Sequence, residues 1–316
     1  MASLVTARAR VIIDNDFSGD PDDLFQTAHH LLCPSVEIPF IIGSHLSVGD
    51  PWDPSTTQAS SAVAKANELL GVMGMTGKLP VLTGSETAIV DVKTPQRTAA
   101  ADAIIAEAMR DDKRPLYYAA GAGLTDLASA WLIEPRIAER LILVWIGGLE
   151  YPDLALPPPG AKGPEYNLRI DIKAGQAIFN HSTIPIWQVP RNVYRQMLFT
   201  HAEMQTQVRP LGKVGAYLID SIERVMRWTG EVGFNIGDTY ALGDSPLVTL
   251  TALQSSFEAD PSSSSYVVRP APNLDDEGSY IENATGRPIR VYTQIDTRLT
   301  FGDMIARLQI LASSAS

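Results

Sequence analysis

Two hydrophobic rhythms alternate along the first two thirds of this chain. Residues 10–14 (RVIID) are β-branched and unbroken and end in an acid, as a buried strand does. Leu24, Ala28, Leu31 and Leu32 then fall at helical spacing. Further strands are predicted at 36–43, 79–82, 116–121, 140–148 and 184–189. Helices are predicted at 57–70, 97–110, 124–133 and 171–181. This alternation predicts an α/β fold, a mainly parallel, Rossmann-like sheet with helices on both faces. In such sheets ligands bind outside the carboxyl ends of the strands.

After residue 195 the pattern changes. Residues 201–229 and 245–253 read as helical, 254–289 as loop with weak strands, 289–300 as a hairpin arm and 302–311 as a last helix. The chain has no internal repeat and no long linker. It therefore reads as one domain over 1–316, with an α/β core at 10–195 and helical and hairpin additions at 196–316 that complete the site. The stiff Pro-Pro-Pro-Gly at 157–160 marks a loop where a site rim would lie.

Composition narrows the function. Acids outnumber bases 36 to 25, a formal charge of −11. Such a chain repels phosphate backbones, so no nucleic-acid partner is expected. The excess acid serves either solubility or a hard cation, and the positions of the acids decide between them. One cysteine, Cys33, allows no internal disulfide, which fits a reducing compartment. The N-terminal apolar run is broken by Arg8 and Arg10, and no stretch approaches the ~18 apolar residues of a spanning helix. A cytoplasmic protein without a membrane partner is expected.

Five of the acids fall within Asp14-Asn15-Asp16-Phe17-Ser18-Gly19-Asp20-Pro21-Asp22-Asp23. Helix initiation alone can account for three of them. Asp20 suits an N-cap, Pro21 the first helical position, and Asp22 and Asp23 the positive end of the helix dipole. It does not account for Asp14 and Asp16, which follow a buried strand. Like charges this close repel unless a cation or shared proton relieves them. The turn at Gly19 lets the strand-end and helix-start carboxylates converge, which points to a divalent metal site.

Two enzyme families open this way. RVIIDNDFS resembles the haloacid-dehalogenase-like phosphatases, which would make Asp14 a nucleophile and Asp16 an acid/base with Mg²⁺. That resemblance stops at Gly243-Asp244, where Ser245-Pro246-Leu247-Val248 supplies no second acid. The inosine-uridine type of nucleoside hydrolases is similar over more of the chain. Asp14-x-Asp16…Asp22-Asp23 resembles their opening signature, with a turn two residues longer. LPVLTGSETAI (79–89), GLTDLASAWLIEPRIAERL (123–141), VWIGGLE (144–150), Glu165-Tyr166-Asn167 with Asp171, and LGDSPLV (242–248) follow in the family's order.

That resemblance implies a Ca²⁺-dependent ribonucleoside N-ribohydrolase. It assigns the metal to Asp16, Asp23, Asp244 and a backbone carbonyl placed at Gly121, with Ala120 as the neighbouring choice. It makes Asp16 the general base that deprotonates a water. It gives Asp22, Glu165 and Asn167 to the ribose and leaves Asp14 to support its neighbours. Relatives form homodimers or homotetramers, so a homo-oligomer is expected. The chain also departs from the pattern. Gly243 stands where the family's candidate leaving-group histidine would be, Pro159 replaces an asparagine, and TPQRT at 94–98 replaces a His-Gly motif. Purine-preferring relatives also lack that histidine and stack the base between aromatics, so the chain reads as purine-leaning. Trp228, Phe234 and Tyr240 fall in the right region, and His45, after the second strand, is a further candidate for substrate contact. His201 is a weaker candidate acid. A catalytically idle, ribosyl-binding relative is the remaining alternative.

Overall fold

A computed structural model describes residues 4–255, 257 and 262–314. The strands in chain order are β1 (Ala9–Asn15), β2 (Val36–Glu37), β3 (Ile41–Gly43), β4 (Val81–Thr83), β5 (Leu116–Ala120), β6 (Ile142–Ile146), β7 (Ile186–Val189), β8 (Leu198–Thr200), β9 (Thr239–Ala241), β10 (Ser265–Pro270), β11 (Asn273–Leu274), β12 (Tyr280–Ile281) and β13 (Pro288–Gln294). The helices are α1 (Asp22–Leu31), α2 (Gln58–Val72), α3 (Ala99–Ala108), α4 (Thr125–Ile133), α5 (Tyr166–Ile170), α6 (Ile172–Gln176), α7 (Arg191–Tyr194), α8 (His201–Glu203), α9 (Gly212–Glu231), α10 (Pro246–Thr251) and α11 (Thr297–Ser314).

The main sheet runs β10-β13-β7-β6-β5-β1-β3-β4, with β2 on the starting end of β1. Every pairing in it is parallel except β10 with β13. The expected α/β architecture is therefore present. β1 is buried over its full length because it sits mid-sheet with helices on both faces, which is why its sequence is continuous rather than alternating. One apolar core fills each face. Val11, Ile13, Phe25 and Leu69 belong to one, and Ile12, Ile42, Ile104 and Trp145 to the other.

The boundaries differ from expectation where local chemistry intervenes. Pro39 cannot donate to a ladder, and the strand predicted at 36–43 splits into β2 and β3. The arm predicted at 289–300 ends at Gln294. Its second half is helical because Asp296 Oδ1 accepts the Leu299 N–H at 2.8 Å and starts α11 early. The stretch at 254–289 contains a full strand, β10, although residues 256 and 258–261 lie outside the described residues. Residues 201–229 are interrupted by a wide turn at Met204–Val208 before α9 begins. The chain's last helix returns to its first. Asp303 accepts from His29 Nε2 at 2.9 Å, and Arg307 donates to the Leu32 carbonyl at 2.9 Å. No described helix is long and apolar enough to cross a membrane.

Candidate active site

The parallel strands end on one side of the sheet, and the predicted carboxylates gather there. Asp16 follows β1, and Asp22 and Asp23 open α1. Gly121 follows β5, and Asp244 lies between β9 and α10. Oxygens of Asp22, Asp23 and Asp244 lie within 4.8 Å of one another. Asp16, Asp22, Asp244 and Gly121 line a cleft of about 200 Å³ whose far wall carries Glu165, Tyr166 and Asn167. Asp23 lies beneath it, 1% exposed.

Buried oxygens should be hydrogen-bonded, and here several are not. Asn15 Oδ1, Asp16 Oδ2, both oxygens of Asp23 and Asp244 Oδ2 are buried without a donor. Burial and mutual repulsion hold Asp16, Asp22 and Asp23 well above the usual carboxylate range. They push Asp244 to about 7. A Cβ on Gly121 would collide with Asp244 Oδ2 and come within 2.8 Å of Asn15 Oδ1, so only glycine leaves this hollow open. Orphaned oxygens, all hard donors around an open hollow, fit a hard cation. Asp244 does not cap α10, since Ser245 occupies that position without a side-chain bond. A second close group, His29, Cys33 and Asp303, is tied instead to the Arg307 guanidinium and clasps α1 to α11.

The opposite wall is built from backbone donors. Glu165 starts α5, where Oε2 accepts from Gly148 N at 2.8 Å and Leu168 N at 3.1 Å, and Oε1 accepts from the Tyr194 hydroxyl at 2.8 Å. Burial still raises its pKa. Gly148 reaches this position at φ 88°, a left-handed conformation that glycine adopts without strain. Arg191 pairs with Glu150 through two bonds of 2.7 and 2.6 Å and fixes the turn that carries Tyr194. Asn167 gives both amide hydrogens away, to the carbonyls of Gly121 at 3.1 Å and Ile146 at 2.8 Å. Its carbonyl oxygen is what remains to meet a ligand.

Other predicted residues lie elsewhere. Asp14 is fully buried, accepts from Ser44 and Tyr118, and sits outside the cleft with its pKa raised to about 8. That placement corrects the phosphatase alternative, because a nucleophile must face substrate. His45 is also outside. Its Nδ1 bonds the Leu46 carbonyl at 2.8 Å and its Nε2 bonds Thr125 Oγ1 at 2.9 Å, so neither nitrogen is left for substrate. Trp228 stands one ring away from the cleft, packed on Trp52 with centroids 5.1 Å apart. Tyr240 bonds Asp20 at 2.6 Å, and His201 bonds Gln205 and faces Glu223 rather than the cleft. Phe234 is 64% exposed.

The cleft is also lined by residues to which the sequence assigns no substrate or metal role: Asp20, Trp52, Tyr166 and Tyr194. The sequence makes Asp20 a helix cap. Its Oδ1 does accept the Asp22 N–H at 3.3 Å, but the residue also lines the cleft, and burial pushes its pKa to about 6. Trp52 comes from the loop after β3 and Tyr194 from the turn after β7. Tyr194 fills the space beside Gly243, where an added Cβ would meet its ring at 3.4 Å.

The model of the inosine-uridine preferring nucleoside hydrolases matches residues 11–313. Solved structures with the same fold include a purine-preferring ribonucleoside hydrolase from Gardnerella vaginalis (TM-score 0.75, 19% identity, 96% of this chain and 99% of that one). A plant nucleoside hydrolase aligns at TM-score 0.69 and 19% identity over the same shares. An inosine-uridine preferring nucleoside hydrolase from Bacillus anthracis aligns at 0.64 and 16%, again over 96% and 99%. No curated protein matches by sequence. With a family match over nearly its whole length, the chain belongs to the inosine-uridine preferring nucleoside hydrolases and is an N-ribohydrolase, cleaving ribose from a nucleobase.

Proposed function

We propose that this enzyme is a Ca²⁺-dependent, purine-leaning ribonucleoside hydrolase. The observation that carries the metal is the set of orphaned buried oxygens on Asn15, Asp16, Asp23 and Asp244. Asp16, Asp23, Asp244 and the Gly121 carbonyl would hold the ion, the last with a lone pair left beside its bond from Asn167. When bound, the ion supplies the positive charge that makes a neighbouring water more acidic.

The rest is the work of side chains. Asp16 lines the cleft and takes the water's proton as general base. Asp22 accepts from a ribose hydroxyl, as do the Asn167 carbonyl oxygen and the Glu165 carboxylate on the far wall. Glu165 also favours the positive charge that develops on the sugar ring as the glycosidic bond breaks. Its three donors favour the ionised form against burial and aim the carboxylate. Asp14 acts behind this set, holding the end of β1 through Ser44 and Tyr118.

Support for the purine preference is the aromatic pair Trp52–Trp228 at the cleft mouth, together with glycine at 243. A large flat base gains more from stacking than a small one. We also take the enzyme to be a cytoplasmic homo-oligomer of single-domain subunits. Assays for free ribose with inosine, adenosine, guanosine and uridine, beside a generic phosphate ester, test the activity. Ribose release abolished by chelation and restored by Ca²⁺ is expected, with purines ahead of uridine. Phosphate release without ribose release overturns the reading.

A further inference from the structure

Cleaving a neutral nucleoside expels the base as an anion unless a proton reaches it, and an enzyme acid in that role is worth roughly 10²–10⁴-fold. This cleft is poorly furnished to supply the proton. Among the described residues that line it there is no Lys, Arg or His. Its two phenols are already spent on carboxylates, Tyr194 on Glu165 and Tyr166 on Asp50, both at 2.8 Å. Two arginines on neighbouring segments are engaged as well. Arg191 is paired with Glu150, and Arg169 lies over the Tyr166 ring beside Asp50. What does line the cleft is acid: Asp16, Asp20, Asp22, Glu165 and Asp244, with Asp23 beneath. At its mouth stands an indole, Trp52, backed by a second, Trp228.

An acid-lined cleft with an aromatic face and no Lys, Arg or His in its lining suits a leaving group that needs no proton. We propose that the preferred substrates are nucleosides whose base carries a fixed positive charge, a pyridinium riboside being the simplest. This rests on the N-ribohydrolase reading above. The acidic walls attract the cationic ring, and the indoles bind it through cation–π contact, as aromatic surfaces bind quaternary nitrogen. The reaction then needs no acid. The water oxygen bonds to the anomeric carbon, and the C–N bond breaks with its electron pair passing to the ring nitrogen. That pair cancels the ring's positive charge. The water's proton goes to the Asp16 carboxylate and on to solvent. Free ribose, a neutral base and one proton leave, so charge balances. The same walls repel the phosphate of a nucleotide.

The test uses the full chain with Ca²⁺ and compares 3-carbamoylpyridinium riboside with inosine and adenosine, reading ribose release. The expected result is a kcat/KM at least 100-fold higher for the pyridinium riboside. Inosine or adenosine turned over equally well or better overturns the proposal and leaves the N-ribohydrolase reading standing. No ribose from any of the three overturns that reading itself. A Trp52→Leu variant keeps the comparison independent of turnover rate. Its KM for the pyridinium riboside is expected to rise at least tenfold, and its KM for inosine by less. Equal rises for both overturn the cation–π component.

Discussion

The Tyr194 hydroxyl donates to Glu165 Oε1 at 2.8 Å, while the same ring occupies the space beside Gly243. One aromatic side chain thus substitutes for the bulk of a missing residue on one wall and holds the key carboxylate of the other.

Tyr194→Phe keeps the ring and removes the bond. Glu165 then retains only its two backbone donors. The expected cost is about 1.5–3 kcal/mol in transition-state binding, the range for a hydrogen bond to a charged group. It should appear as a loss of roughly 13- to 160-fold in kcat/KM with little change in Tm, measured by steady-state kinetics beside thermal unfolding. Unchanged kinetics would remove Tyr194 from the mechanism.

Asp23→Asn should act in opposite directions on two observables. Both Asp23 oxygens are orphaned among other acids. Neutralising the side chain relieves repulsion, so the metal-free protein should melt at the same temperature or higher. Ca²⁺ affinity by calorimetry should fall at least 100-fold. In the parent, Ca²⁺ at 100 times its Kd should add about 2.7 kcal/mol of stability, an increment the variant loses. A variant that still gains it would exclude Asp23 as a ligand.

Asp14 and Asp16 are two residues apart and should behave differently. Asp16→Asn is expected to lower kcat by about 10²–10⁴, the worth of a general base. Asp14→Asn, whose parent carboxylate accepts from Ser44 and Tyr118 outside the cleft, should change Tm more than kcat. The reverse pattern in stopped ribose-release assays would move the base to Asp14.

Acid should unfold the protein partly through His30. Burial pushes this residue down from 6.5 to about 3, aided by neighbouring His29, while its Nε2 bonds Thr251 Oγ1 at 2.7 Å. The unfolded chain takes up the proton near pH 6.5 and the folded chain only near 3. The stabilising contribution is therefore full above pH 6.5 and is lost as pH falls towards 3. By pH 5 the loss is about 2 kcal/mol, at 1.36 kcal/mol per unit. Denaturant unfolding at pH 7 and 5, with His30→Asn as comparison, measures it. An equal pH dependence in the variant would assign the effect elsewhere.

Much of the metal half of the cleft was legible from residues 10–23, because there the chemistry is local. A β-branched strand, a glycine turn and a helix start place their acids by chain geometry alone. On the far wall, Glu165 and Asn167 were legible only through the family resemblance, and the aromatic lining was not. Trp52, Tyr166 and Tyr194 lie in segments that follow three different strands, and only the order of strands in the sheet brings them together. No periodicity marks such a residue as facing a cleft. The engagement of His45 was hidden for the related reason that it depends on Thr125, 80 positions away. The early start of α11 follows from Asp296-Thr297, an ordinary helix-start signal that lies directly after a strong strand.

The clasp of α1 by α11 has a consequence in time. The helix that presents Asp22 and Asp23 is closed off by Asp303 and Arg307, which leave the ribosome some 270 residues after it. A nascent chain therefore carries its acidic cluster long before it carries the helix that seats it. Chains cut before Asp303 should hold α1, and with it Asp22 and Asp23, less firmly.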